Sequence, residues 1–136
     1  MEMDSEFASK IQAVVGGDFD PCGGFAPTLD VHKTQVVRVL AILHAHPDFK
    51  FEFLTDMVVV DHPGSERRFE VSYLILSLRL LGLRLSGLRL GPRICVRTYL
   101  EEDESLDSVT SMYKSADWLE QDITEVYGIV FRNKHN

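Results

Sequence analysis

The stretch FEFLTDMVVVDHPGSERRFEVSYLILSL, residues 51–78, carries the strongest strand signals of this 136-residue chain. Three β-branched residues stand together at 58–60, a composition that favours a strand. The second half alternates apolar with polar residues, the apolar set being Phe69, Val71, Tyr73 and Ile75. Between the halves, DHPGSERR has the Pro and Gly of a turn. The stretch therefore predicts two neighbouring strands joined by a turn.

Two amphipathic helices are predicted upstream of this strand pair. In the segment 32–49, HKTQVVRVLAILHAHPDF, Pro47 ends the apolar periodicity. An earlier segment at 4–17, DSEFASKIQAVVGG, begins with capping residues and ends at two glycines. The apolar stripes are Val36, Val37, Leu40 and Leu43 in 32–49, and Phe7, Ile11, Val14 and Val15 in 4–17.

Further elements on both sides of the pair define the fold class. A Gly/Pro-rich connector at 17–27 leads into a short predicted strand, TLDV at 28–31. RICVRTYL at 93–100 alternates like a strand, EEDESLD at 101–107 is a charged loop, and 108–129 is helical. This order predicts an α+β fold of two layers, with one mixed or antiparallel sheet of about four strands and helices packed on it.

The totals are those of one globular domain spanning residues 1–136, with a helix and linker at 1–25, a core at 26–131 and a short tail at 132–136. A net charge of −7 makes nucleic acid a poor partner, because phosphate binding needs a basic face. No apolar run is long enough to span a membrane, and the acidic N-terminus does not resemble a secretory signal. Cys22 and Cys95 are interpreted as free thiols, too few to ligate an iron–sulfur cluster.

The segment ADWLEQDITEVYGIVF, residues 116–131, holds the single tryptophan and a cluster of acids. On a helix the acids spread over several directions, so they do not converge as a metal site or a carboxylate dyad requires. Asp117 and Glu120 are predicted to form a capping-box-like pair as N-cap and N3, with Glu120 at the border of the apolar face. The predicted core face consists of Leu119, Ile123, Val126 and Tyr127.

Trp118 is the anomaly of this helix, because it projects from the polar arc. A large aromatic side chain there is either covered by another part of the chain or anchors an interface. Gly128 is a natural helix stop, after which the chain continues as an extended segment.

A second unusual segment, residues 78–91, repeats Leu-Arg-Leu three times with a period of five. It is either a hairpin tip bent at its glycines or an apolar and basic protrusion that docks on a partner.

No catalytic constellation is predicted. His44 and His46 are two residues apart on a helix and therefore point to different faces. The chain has no recognisable nucleophile motif and no Gly-rich phosphate loop in a strand-to-helix context. The sequence thus predicts no catalytic, cofactor-binding or metal-binding residue.

Three motifs together resemble the 30-kDa subunit, also named the C subunit, of respiratory complex I, the NADH:quinone oxidoreductase. WLEQDITEVYGIVF at 118–131 is similar to the family's Trp-x-Glu-Arg-Glu run that leads into Phe-Gly-Ile-x-Phe. The stretch 51–78 and the segment DSVTSMYKSADW at 107–118 also match family patterns, and the resemblance extends from about residue 26 to 131. Departures are Gln121 in place of the family's arginine, a longer Leu-Arg-Leu tip, and an end at FRNKHN where the family continues into a tail.

The resemblance implies a non-catalytic structural subunit of the peripheral arm, docked on the 49-kDa (D) subunit near the quinone module. The chain would bind no cofactor itself, while the complex would use FMN, iron–sulfur clusters, NADH and quinone. It would lie on the cytoplasmic face of the cell membrane and associate with the membrane indirectly. The expected partner interface is Trp118, Glu120, Asp122 and Glu125, with Tyr127, Gly128 and Ile129 at the helix end.

Two alternatives stay open at this point. The same fold could serve a membrane-bound [NiFe] hydrogenase or a deazaflavin-dependent dehydrogenase, which carry a homologous subunit. A different class would be a free-standing small metal-binding module that uses His44, His46 and the acids.

Overall fold

The computed structural model describes residues 2–20, 26–80 and 93–134, with side chains from residue 9 onward in the first helix. The Leu-Arg-Leu segment beyond residue 80 and Cys22 therefore lie outside the described residues. In chain order the elements are α1 (Glu2–Val15), β1 (Asp18–Asp20), β2 (Thr28–Asp30), a 3₁₀ turn (Lys33–Gln35), α2 (Val36–Ala45), β3 (Phe53–Asp61), β4 (Phe69–Leu76), β5 (Arg93–Leu100), β6 (Leu106–Asp107), α3 (Ser115–Tyr127) and β7 (Phe131–Arg132).

The central sheet has the strand order β1-β2-β5-β4-β3. β2 pairs in parallel with β5, and the other neighbours are antiparallel. The predicted α+β class with one mixed sheet is confirmed, with five strands rather than about four. The extra strand is β1, inside the predicted connector. Gly17 allows it, because φ there is +78° and a Cβ would lie 2.7 Å from the carbonyl oxygen of Asp30.

The predicted strand pair forms as an antiparallel hairpin of β3 and β4, with Met57 opposite Tyr73 and Val59 opposite Val71. The alternation in β4 is confirmed, because Val71, Tyr73 and Ile75 are fully buried and Phe69 is nearly so. Arg68 closes the hairpin with two bonds to Asp61, from Nε to Oδ1 at 2.9 Å and from Nη2 to Oδ2 at 3.2 Å. This bidentate pair lowers the pKa of the Asp61 carboxyl.

The same face of β5 is buried, as predicted from its alternation; its members are Ile94, Val96, Thr98 and Leu100. Helix α2 contacts β5, and its buried residues are Val36, Val39, Leu40 and Leu43. The predicted stripe was wrong at one position, since Val37 is only partly buried and Val39 takes its place. Both sets have helical spacing, so packing on the sheet decides between them.

The helix ends follow local rules. His46 is extended (ψ 126°) before Pro47, as the residue preceding a proline prefers, and its N–H still bonds the Ile42 carbonyl at 2.8 Å. In α1, Ile11 and Val15 are buried and Val14 packs against the core. Gly16 then takes φ +77° and donates its N–H to Gln12 at 2.8 Å, which ends the helix at the predicted glycine.

The sheet has two differently protected edges. β1 is three residues long and begins and ends with aspartate, which makes it a poor template for another strand. β3 is nine residues long, and α3 lies beside it. The hydroxyl of Ser115 donates to the Leu54 carbonyl at 2.7 Å, and that of Tyr127 reaches the Val59 carbonyl at 3.4 Å.

These two contacts give the direction of α3. Its twelve-residue span between the contacts is about 18 Å long, and five residues of strand cover about 17 Å. The helix therefore runs alongside the edge strand in the same direction, next to its segment from Leu54 to Val59.

Candidate partner interface

Helix α3 begins two residues before the predicted N-cap Asp117, whereas residues 108–114, also predicted to be helical, form turns and irregular backbone. Its first residue is Ser115, and Lys114 occupies the N-cap position without a side-chain cap bond. The predicted capping pair of Asp117 and Glu120 is therefore wrong, because both residues lie inside the helix. The Asp117 carboxylate instead lies 3.1 Å from Nζ of Lys134, and its charge in the first turn suits the helix dipole.

Glu120 is fully buried at the centre of the face that α3 turns inward. Its carboxylate accepts bonds from the Ser108 hydroxyl at 2.6 Å and from the Val109 N–H at 2.9 Å. Burial raises the pKa of the Glu120 carboxyl, and the bonds from Ser108 and Val109 partly oppose that shift. Glu120 thus joins α3 to the loop after β6. Its predicted position at the border of the apolar face was wrong, because it is fully buried.

The inward face of α3 differs from the predicted core face. Its buried residues are Ala116, Glu120 and Ile123, while Leu119 is only partly buried. Val126 was predicted to lie in the core but is 71% exposed, and Tyr127 is 36% exposed. The face has turned by about 40° from the most apolar direction of the helix. The cause is Glu120, whose hydrogen-bond partners lie on the inner side.

Trp118 stands on the outward face of α3 and is 68% exposed. Asp122 and Glu125, four and seven residues later, share this stripe and are also exposed. Among the described residues neither carboxylate takes part in a salt bridge. The predicted interface residues Trp118, Asp122 and Glu125 therefore lie together on one accessible surface, which we name the outer face of α3.

The predicted residues at the helix end form a rigid turn. Gly128 is in the left-handed conformation (φ 74°), and its N–H donates to the Thr124 carbonyl at 2.9 Å. The hydroxyl of Thr124 donates to the carbonyl of Ile129 at 2.7 Å, and the Ile129 side chain is buried. Tyr127 packs edge-on against Phe69, with ring centroids 6.1 Å apart.

A second, small sheet holds the chain beyond this turn. β7 pairs in parallel with β6, so that Leu106 lies opposite Phe131 and Asp107 opposite Arg132. The Leu106 N–H donates to the Val130 carbonyl at 3.1 Å, and the Ser108 N–H donates to the Arg132 carbonyl at 2.7 Å. The segment that supplies the partners of Glu120 is therefore fixed by the chain that leaves α3.

Sequence reasoning missed the residues that orient α3. Ser108 and the Val109 N–H lie eleven or twelve residues before Glu120, a separation that no helical or strand period makes visible. Lys134 was left in the predicted tail, although it pairs with Asp117. The one usable signal was that Ser108 and Val109 belong to the motif at 107–118.

The two histidines of the metal-binding alternative are engaged in ring contacts. His44 packs edge-on against Tyr113 at 5.2 Å, and His46 stacks on Phe49 at 4.3 Å. Within the described ranges, no three His, Cys, Asp or Glu side chains are grouped so that they could hold a metal ion. Among the described helices, none is long and apolar enough to cross a membrane.

Comparisons with known proteins give the family of the chain. The model of the family "Respiratory-chain NADH dehydrogenase, 30 Kd subunit" matches residues 29–136. The chain belongs to this family. The resemblance of the three sequence motifs is therefore confirmed, and the match runs from the second residue of β2 through the other strands and α3.

Several members of the 30-kDa subunit family are similar in sequence. NADH-ubiquinone oxidoreductase subunit 9 of Reclinomonas americana is 32% identical over 106 residues, which are 78% of this chain and 47% of that protein. The NADH-quinone oxidoreductase C subunit of a Caulobacter species is 36% identical over 71% of this chain and 41% of its own length. The equivalent C subunit of Citrifermentans bemidjiense is 36% identical over 80% and 61%. The chain thus spans about half the length of the relatives it matches.

Two solved structures share the fold. The trypsin-resistant fragment 1–134 of Nqo5 superposes with a TM-score of 0.67 at 24% identity, covering 100% of this chain and 99% of the fragment. A chain of an archaeal membrane-bound sulfane sulfur reductase, a respiratory membrane complex, superposes with a TM-score of 0.75 at 18% identity. That second match covers 96% of this chain and 71% of the other. At these identities the likeness shows the fold alone.

Proposed function

We propose that this chain is a non-catalytic structural subunit in the peripheral arm of a proton-translocating NADH:quinone oxidoreductase. It docks on the 49-kDa (D) subunit near the quinone module, and it does so through the outer face of α3. Membership of the 30-kDa subunit family supports the type of complex. The observation that supports the docking surface is Trp118, which is 68% exposed on the face of α3 that it shares with Asp122 and Glu125.

An exposed tryptophan fits an interface better than a free surface. Tryptophan contributes a large apolar area, and it is enriched among the residues that dominate binding energy. The helix beneath Trp118 is held at several points, by Glu120 on its inner face, by Ser115 and Tyr127 along β3, and by Gly128 at its end. A rigid support of this kind lowers the entropy cost of association, because little has to be ordered on binding.

The proposal assigns this chain no cofactor of its own. FMN, iron–sulfur clusters, NADH and quinone belong to the other subunits of the complex. The chain lies peripherally on the cytoplasmic face of the cell membrane and associates with the membrane through its partners. Support for this placement comes from the names of the similar proteins, which are subunits of NADH-quinone oxidoreductases.

Co-purification tests the proposal directly. The tagged chain is co-expressed with the 49-kDa-type subunit of the same organism, and the eluate is analysed by size-exclusion chromatography with light scattering. We expect a stable one-to-one complex and, in a strain lacking the chain, failure of the peripheral arm to assemble. A chain that stays monomeric beside that partner, in cells where complex I assembles normally without it, would contradict the proposal.

A second candidate keeps the fold and changes the complex. The likeness to a chain of the sulfane sulfur reductase shows that this fold also serves another respiratory membrane complex. A hydrogenase or deazaflavin-dependent dehydrogenase complex is the alternative, and the likeness to the reductase supports it through the fold alone. Neighbouring genes separate the two, because genes for flavin- and NADH-binding subunits indicate complex I and hydrogenase maturation genes indicate the alternative.

Metal analysis of the purified chain tests the third candidate, the metal-binding module. Stoichiometric zinc, manganese or iron in the purified chain would support it.

A further inference from the structure

Two of the four carboxylates of α3, those of Asp117 and Glu120, bind partners within the chain, and the other two, those of Asp122 and Glu125, are exposed. Asp117 is paired with Lys134 at 3.1 Å, and Glu120 is buried with bonds from the 108–109 backbone and side chain. Asp122 and Glu125 are exposed, and no described cation forms a salt bridge with either. The charge left over on α3 is therefore concentrated on the face that presents Trp118.

The chain offers few neutralising charges near α3 in sequence, and Lys134 is already paired with Asp117. Residues 101–125 contain nine acidic residues and a single basic one, Lys114. Whatever covers Trp118 brings Asp122 and Glu125 to the rim of the contact, because they lie one and two helical turns away on the same stripe. Carboxylates brought into a contact without opposite charge are costly, since they lose hydration and gain nothing in return.

On this basis we propose that the surface docking on the outer face of α3 is basic and belongs to another protein. It presents arginine or lysine side chains to Asp122 and Glu125, on either side of an apolar pocket that receives Trp118. This inference rests on the proposed function and specifies the chemistry of the partner. Arginine is the better match. Its planar guanidinium forms two parallel hydrogen bonds with a carboxylate, and arginine is enriched at interfaces.

The same charges argue against the other possible occupants. A second copy of the chain, paired about a twofold axis, would bring Asp122 and Glu125 against identical carboxylates. An anionic membrane surface or a nucleic acid would be repelled for the same reason. A basic protein surface is the occupant that satisfies both the apolar and the charged parts of the face.

The test measures the kinetics of binding to the immobilised 49-kDa-type subunit of the same organism at 50, 150 and 500 mM salt. The variants are Trp118→Ala and the double variant Asp122→Asn/Glu125→Gln. The matched control is Asp18→Asn/Glu66→Gln, which removes the same net charge from exposed positions on β1 and in the β3–β4 turn. Circular dichroism and thermal melting confirm that each variant is folded, as expected for substitutions at exposed positions.

We expect Trp118→Ala to weaken binding at least about 30-fold, as for a residue at the centre of an interface. The association rate of the wild-type chain falls as salt rises. Asp122→Asn/Glu125→Gln lowers that rate about tenfold at 50 mM salt and removes most of its salt dependence. The control variant retains the wild-type salt dependence.

Each contrary outcome points to one proposal only. If the wild-type chain binds and Trp118→Ala weakens binding, but Asp122→Asn/Glu125→Gln behaves like the control, the basic-partner inference is overturned while the proposed function stands. If instead the wild-type chain forms dimers in sedimentation equilibrium that Trp118→Ala abolishes, a second copy is the occupant and the inference is again wrong. If the wild-type chain does not bind the 49-kDa-type subunit at any salt concentration, the proposed function itself fails.

Discussion

The β3–β4 hairpin and helix α3 handle their apolar residues in opposite ways. In the hairpin, the alternating residues Val71, Tyr73 and Ile75 are fully buried, as their pattern predicts. In α3, a carboxylate occupies the centre of the buried face, whereas Trp118 and Val126 are 68% and 71% exposed. Local pattern decides burial where every inward residue is apolar. Where an inward residue is polar, its hydrogen-bond partners elsewhere in the chain decide.

The largest expected effect is on the free energy of unfolding, when one apolar side chain in each region is shortened to alanine. Ile75→Ala leaves a cavity beneath the sheet and should lower the free energy of unfolding by about 2–5 kcal/mol. Val126→Ala removes an apolar side chain of similar size from an exposed position and should change it by less than about 0.5 kcal/mol. Urea unfolding at pH 7 measures both. A loss above about 2 kcal/mol for Val126→Ala would restore the predicted core face.

The next effect concerns the polar centre of α3. Glu120→Ala leaves the Ser108 hydroxyl and the Val109 N–H buried without their acceptor, so the free energy of unfolding should fall by about 1–3 kcal/mol. The matched control is Glu125→Ala, which removes an exposed carboxylate from the same helix and should be nearly neutral. Equal effects of the two substitutions would show that the Glu120 bonds contribute no stability.

A smaller effect is expected at the end of α3. Gly128→Ala places a Cβ at φ +74°, which L residues rarely adopt, although no atom lies within 4 Å of the added Cβ. The cost is therefore conformational and should be about 1–2 kcal/mol. Gly64→Ala, at φ +82° in the β3–β4 turn and equally open, is the control for the same cost in the other region. A neutral Gly128→Ala would mean that the helix end readjusts; thermal unfolding decides.

The smallest effect is a pH dependence of α3 whose sign is opposite to that expected in the hairpin, where Arg68 lowers the pKa of Asp61. Burial raises the folded-state pKa of Glu120 above its ordinary value of 4.5. Protonated Glu120 therefore contributes to the free energy of unfolding. This contribution is fully present at pH values below 4.5 and is lost as the pH rises through the folded-state pKa. Glu120→Gln stays neutral and should therefore gain stability relative to the wild type as the pH rises from about 4 to 7. Parallel stability curves for the two proteins would contradict the expected shift.

Much of the fold was predictable because its signals are local. The alternation in β4 and β5 requires one buried face, Pro47 prevents α2 from continuing, and Gly128 supplies the left-handed residue that ends α3. β1 escaped prediction because three residues contain no pattern; its pairing depends on the tight approach at Gly17. The two-residue strands β6 and β7 are visible only as a pair, and their partners are distant in the chain.

The candidate interface was predictable in its residues but not in its orientation. Trp118, Asp122 and Glu125 share a stripe on any helix that contains them, because helical geometry alone places them there. Glu120 was chosen as an interface residue together with the family resemblance and not from this stripe, and its side chain is fully buried. Ile129 is also buried, so these two residues support the surface from within rather than form it.

The sequence by itself determined the main helices and strands, the core face of the hairpin and the membership of the family, since these depend on short-range periodicity and on recurring motifs. The tertiary structure decided which way α3 faces. A helix with apolar residues on one arc could have turned Val126 inward, but Ser108 and the Val109 N–H offer a carboxylate two bonds that water would otherwise provide. Because of those bonds, Glu120 faces the core and Trp118, on the opposite side of the helix, faces the solvent.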